Sequence, residues 1–121
     1  MGDTVRIERE LMRGAGPVAV LKLLERGEMY GYELTRLLTE RSGGVLEMGQ
    51  STLYPLLYNL EGKGLIASRW DEPDQGRRRK YYRLTDQGAK RLAEDTAQWR
   101  AVVRAMVDLD ILPAPARASL T

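Results

Sequence analysis

A chain of 121 residues has room for one domain with a core of its own, and 43% of it is hydrophobic. It contains no cysteine and no histidine. That excludes disulfides, thiolate and imidazole metal ligands, a thiol nucleophile and a Ser-His-Asp triad. Nineteen Lys and Arg against seventeen Asp and Glu leave a net charge of +2. Only the placement of that charge can therefore argue for a nucleic-acid partner.

No run approaches the roughly 18 apolar residues of a transmembrane helix. Met1-Gly2-Asp3-Thr4 lacks the basic start and apolar core of a signal peptide, and Arg6 spoils an N-myristoylation pattern. A cytoplasmic protein with no membrane partner is expected. Residues 3–13 carry Val5, Ile7, Leu11 and Met12 among charges. This reads as a weakly amphipathic helix, either frayed or packed on a partner subunit through Leu11. Gly14-Ala15-Gly16-Pro17 reads as a break, with Pro17 opening a second helix. Val18, Val20, Leu21, Leu23 and Leu24 crowd most of that helix's circumference, which predicts a buried central element ending at Gly27. Tyr30, Leu34, Leu37 and Leu38 form the next stripe, closed by Ser42-Gly43-Gly44.

The third helix is the unusual one. Leu53, Leu56, Leu57 and Leu60 recur at i, i+3, i+4 and i+7, the stripe of an amphipathic helix starting near Gln50 or Ser51. The opposite side holds Ser51, Pro55, Tyr58 and Asn59, with Tyr54 on its flank. A solvated face usually carries Glu and Lys. Hydroxyls, amides and tyrosines instead suit phosphates and base edges. Gly62 and Gly64 stop the helix, with Lys63 at its C-terminal end. Two helices joined by a short link, the second with this face, have the geometry of a helix–turn–helix.

Leu65–Asp71 and Lys80–Thr85 then alternate as two strands of a hairpin around the turn-rich Glu72-Pro73-Asp74-Gln75-Gly76. Its second arm opens Arg77-Arg78-Arg79-Lys80, and residues 77–83 hold five cations and no acid. A charge run is ordinarily a solvated loop. On a hairpin tip beside a recognition helix, its arginines can enter a minor groove or grip phosphate.

Thr85 is a good N-cap for a last helix of about 24 residues, roughly 36 Å long. Leu92, Thr96, Trp99, Val103 and Met106 are spaced 4, 3, 4, 3, a short heptad seam that Val102 and Leu109 widen. The seam either folds back on its own domain or meets a second chain, and its length favours dimerisation. Pro113 and Pro115 end it, and residues 113–121 read as a loose tail. The implied architecture is mainly α with a small β-hairpin: a winged helix–turn–helix over 1–85, a dimerisation helix over 86–112, then the tail. Glu8 and Glu10, and Asp108 and Asp110, are carboxylates two apart. They point to different helix faces and make poor acid–base pairs, so no enzyme is expected.

Met29-Tyr30-Gly31-Tyr32-Glu33-Leu34, Ser51-Thr52-Leu53-Tyr54-Pro55, Leu60–Ile66 and Arg77–Thr85 with Gly88 resemble, in register, the PadR family of bacterial transcriptional regulators. The resemblance runs from about residue 10 to 109. It implies a winged helix–turn–helix with a C-terminal dimerisation helix, usually a homodimeric repressor on inverted repeats in double-stranded DNA. It puts Ser51, Thr52, Tyr54 and Tyr58 on the recognition helix and Arg77, Arg78, Arg79 and Lys80 on the wing. Gln50, Lys63 and Tyr81 complete the DNA-binding expectation. Trp99 falls where drug-sensing relatives stack an aromatic or hydrophobic effector. With one long helix after the wing, the chain resembles the short subfamily. No cofactor or metal is expected. The rival reading is a winged-helix protein-interaction module that binds no DNA. Its anchors would be Tyr54, Tyr58 and Trp70, because aromatics are enriched at protein interfaces.

Overall fold

The computed structural model describes residues 5–71 and 76–115. Glu72 and Asp74 of the hairpin turn, Asp3 and Thr4 of the arm, and residues 116–121 of the tail lie outside the described residues. The chain runs α1 (Arg9–Leu24), β1 (Met29–Tyr30), α2 (Gly31–Arg41), α3 (Gln50–Gly62), β2 (Ile66–Asp71), β3 (Arg79–Leu84) and α4 (Asp86–Asp108).

Three helical stripes and one side of the sheet meet in a single core. Val20, Leu21 and Leu24 of α1, Leu34 and Leu38 of α2, and Leu53, Leu57 and Leu60 of α3 are all buried. Leu65, Ile66 and Tyr82 close it from the sheet, and no polar side chain is buried among the described residues. Each fully buried leucine contributes roughly 1.5–3 kcal/mol relative to exposure, so the helix–turn–helix is held by packing more than by its caps.

The expected break at Gly14–Pro17 is absent. α1 passes straight through it, and Pro17 sits inside the helix. Proline costs a helix interior about 3 kcal/mol because it removes an amide and crowds the preceding turn. Tertiary packing offsets this. Gly14 lies under the Trp99 indole, and buried Gly16 admits Leu56 and Met48, whose ends would lie 3.0 and 3.6 Å from an added Cβ. The glycines that suggested a break are close-approach positions. The N-terminal arm is also shorter than expected, since Val5 to Glu8 precede the helix.

α3 begins at Gln50 as expected, with Gly49 as a cap that supplies no side-chain hydrogen bond. Pro55 is in its second turn, so the Ser51 carbonyl has no amide one turn on. Gly64, in the left-handed region at φ 77°, turns the chain into the wing. The hairpin is as expected, but the sheet has a third member. The two-residue β1 pairs with β3, Met29 opposite Tyr82 and Tyr30 opposite Tyr81, giving the order β1-β3-β2. Strand β2 pairs with β3 from Ile66–Leu84 to Asp71–Arg79.

α4 is tied to the root of the wing. The Thr85 hydroxyl accepts from the Gly88 amide at 2.9 Å and donates to the Gly64 carbonyl at 2.7 Å. Gly88 is pressed so closely on the Leu65 carbonyl oxygen that a Cβ there would overlap it. Leu92, expected on the intersubunit seam, is instead 4% exposed and part of the chain's own core. The helix has grown only seven residues from Asp86 at that point and still lies over its own domain. It ends at Asp108, ahead of the prolines. Leu109 is its cap rather than a helical residue, and Asp110 takes the left-handed conformation at φ 64°.

Candidate nucleic-acid interface

The outer face of α3 is open. Gln50, Ser51, Thr52, Tyr54, Pro55, Tyr58 and Asn59 are exposed, Tyr58 at 81%. Among the described residues nothing engages the Ser51 or Thr52 hydroxyls. Tyr54 leans back over the start of α2, where an added Cβ on Gly31 would lie 2.5 Å from its hydroxyl. Its ring is therefore held at one end by the partner helix. Lys63 is exposed at the C-terminal cap.

The wing has two unlike faces, set by strand alternation. On one side, Ser68 donates to the Glu61 carboxylate of α3 at 2.5 Å, which marks this as the side next to α3. Burial raises the Tyr82 pKa above the ordinary tyrosine value, aided by neighbouring Tyr54 and Glu61. Trp70, opposite Lys80, continues the same row. The Arg78 guanidinium lies 4.5 Å from the Trp70 ring centre. The Lys80 ammonium lies 5.8 Å from Trp70 and 5.7 Å from Tyr82.

The far side carries the other cations. Arg79 sits 4.7 Å above the Tyr30 ring, and Tyr30 meets Tyr81 edge-on with 5.5 Å between centres. Arg69 lies 5.0 Å from the centre of Tyr81. Its Nε donates to both oxygens of Glu28 at 3.1 Å, and its Nη2 also donates to that carboxylate. The hydrogen bond from Arg69 holds Glu28 below the ordinary glutamate range, and Glu28 raises Arg69 in turn. Asp71 lies 3.8 Å from the same guanidinium. The sequence-expected residues are thus divided. Arg78 and Lys80 are on the α3 side, Arg79 and Tyr81 are on the far side, and Arg77 is exposed before the strand. Trp70, Tyr30, Arg69 and Glu28 were not in the DNA-binding expectation. Strand alternation alone puts Trp70 beside Ser68, but the ring–cation pairings need the register across the hairpin.

A second feature lies between the first and last helices. α1 and α4 flank an open apolar groove of about 750 Å³, lined by Val18, Ala19, Trp99, Val103 and Val107 among others. Thr96 is half-buried, its hydroxyl returned to the Leu92 carbonyl at 2.8 Å. Trp99, Val102 and Val103 are exposed, Met106 is half-buried, and Leu11 and Leu109 are open to solvent. Among the described residues no group of acidic side chains could hold a metal ion. Among the described residues no helix is long and apolar enough to cross a membrane.

Comparison with known proteins agrees with this geometry. Residues 20–94 match the Transcriptional regulator PadR-like family, more than half of the chain. The crystal structure of a PadR family transcriptional regulator from Eggerthella lenta superposes with a TM-score of 0.73 at 40% identity, covering 83% of this chain and 85% of that one. Transcriptional regulator Rv3488 of Mycobacterium tuberculosis is 36% identical over 87 residues, 72% of this chain and 78% of that protein. The negative transcriptional regulator PadR of Bacillus subtilis is 35% identical over 74 residues, 61% of this chain but only 41% of that protein. With four helices and a three-stranded wing among the described residues, and with its matched sequence, the chain belongs to the PadR-like family of transcriptional regulators, a family of regulators and not of enzymes.

Proposed function

We propose that the protein is a homodimeric repressor that reads a near-palindromic promoter site. The observation that carries this is the joint presentation of an acid-poor, hydroxyl- and amide-bearing α3 face and a wing whose Arg78 and Lys80 stand on the same side. In that reading α3 enters the major groove, and Gln50, Ser51, Thr52, Tyr54 and Tyr58 supply sequence selectivity. Lys63 and the wing cations, with Arg77 at the tip, contact phosphates and supply most of the affinity. The α1–α4 groove is completed by the same surface of a second copy. Trp99, Val102, Val103, Met106 and Leu109 form the contact, together with Leu11. That spaces two recognition helices one helical turn of DNA apart, roughly 34–36 Å. Repression is favoured by the similarity to a negative regulator. A small aromatic or hydrophobic effector fits the same apolar groove beside Trp99.

Retention of fragmented genomic DNA across a salt titration, followed by sequencing, tests the regulator. One enriched near-palindrome, released as salt rises, is expected. Uniform retention would leave a basic protein without a target. No retention at low salt would favour the protein-interaction module.

A further inference from the structure

The cations of the Arg77–Lys80 run are neighbours in sequence, yet the fold sends them to different sides. Arg78 and Lys80 go to the α3 side, and Arg79 goes to the far side. Lys80 is assigned to its side by strand alternation. Arg78 is not, because it precedes β3, which begins at Arg79. What it lies against is the indole of Trp70, on the facing strand.

Trp70 itself has little structural reason to be tryptophan. It stands on β2, an edge strand, and is 50% exposed and outside the core cluster. Its row on the sheet faces α3, as the Ser68–Glu61 hydrogen bond shows. A tryptophan face is the best of the side-chain platforms for a guanidinium or an ammonium. Lys80 shares the same ring and that of Tyr82. An unrestrained arginine loses substantial rotamer freedom when it docks on a phosphate. One already laid on a ring has lost much of it before DNA arrives.

We infer that Trp70 is a positioning residue for DNA binding: its indole places Arg78 on the α3 side of the wing and braces Lys80, which strand alternation already puts there, for the phosphate backbone. This rests on the DNA-binding reading above. It assigns Trp70 a role through the two cations rather than a contact of its own with a base.

The test compares Trp70→Phe, which keeps an aromatic face, with Trp70→Leu, which keeps apolar bulk and removes the face. Both full-length variants are titrated by anisotropy against a labelled mixed-sequence duplex long enough for two half-sites, over a range of salt. Trp70→Leu is expected to bind about fivefold more weakly with a shallower salt dependence, and Trp70→Phe to stay near the parent. Arg78→Ala is expected to cost markedly less in the Trp70→Leu background than alone, because the ring and the cation act as a unit. Equal binding by all three proteins would overturn the inference, as would equal losses in Phe and Leu or full additivity with Arg78→Ala. A parent protein that ignores the duplex at low salt would instead bring down the DNA reading, and this role with it.

Discussion

α3 and α4 are built on the same rule and end with opposite surfaces. Each buries leucine in the core, Leu53, Leu57 and Leu60 along α3 and Leu92 near the start of α4. The exposed side of α3 is then hydroxyls, amides and tyrosines, whereas the later turns of α4 expose Trp99, Val102 and Val103. A polar face with one half-buried acid, Glu61, can exchange water for phosphate and base edges at little desolvation cost. An apolar face gains only by leaving water altogether. The difference teaches that burial periodicity locates a helix, and the chemistry of the side left over says what meets it.

The largest effect should come from the apolar side. Val103 is 46% exposed on the groove wall, so Val103→Asp puts a charge into the surface proposed to meet a second copy. Sedimentation should then give a species near the single-chain 13.7 kDa. Affinity for the two-half-site operator should fall about a hundredfold or more as the second half-site is lost. An unchanged mass would break the comparison at once, by showing that this face needs no partner.

The root of α4 comes next. Gly88→Ala drives a methyl into the Leu65 backbone carbonyl, which cannot move without shifting β2. A loss of about 2–3 kcal/mol in denaturant unfolding is expected, at the upper end of ordinary overpacking. If stability is unchanged, α4 is not held where its buried face implies.

On the polar side, Tyr54→Ala should cost about 1–3 kcal/mol of operator binding and little binding to mixed sequence. Its thermal unfolding should stay close to the parent's, because the ring is exposed and only its hydroxyl end reaches Gly31. A large drop in stability would make Tyr54 a packing residue and remove it from the interface.

The smallest effect belongs to Glu28→Gln. The Glu28–Arg69 pair is open to solvent, so its contribution is weak. Its sign is nonetheless defined. The folded-state pKa of Glu28 is depressed, so the stabilisation is present above the unfolded glutamate pKa, about 4.3, and is lost as pH falls through the lower folded value. Urea unfolding of parent and variant should therefore differ slightly at neutral pH and converge in acid. A difference that widened in acid would reverse the assignment.

The helices' inward stripes, the Thr85 cap, the hairpin and the outer face of α3 were all legible in the sequence. They depend on local chemistry and on periods of 3.6 and 2, which a linear string carries. The motifs that resemble PadR regulators supplied the winged arrangement on the same terms. The passage of α1 through Gly14–Pro17 was not legible, because the same glycines serve a turn or a close approach. Only Trp99, Leu56 and Met48, brought from distant positions, decide between them. Strand β1 is two residues long, too short for any period to register, and exists because β3 is there to pair with it. Leu92 fitted a heptad seam by spacing, but the anchoring of Gly88 on Leu65 puts that turn of α4 inside its own domain. The sorting of the wing's cations between two faces was hidden for the same reason. Spacing along the chain says which residues share a side, and cross-strand register says which ring each charge will find.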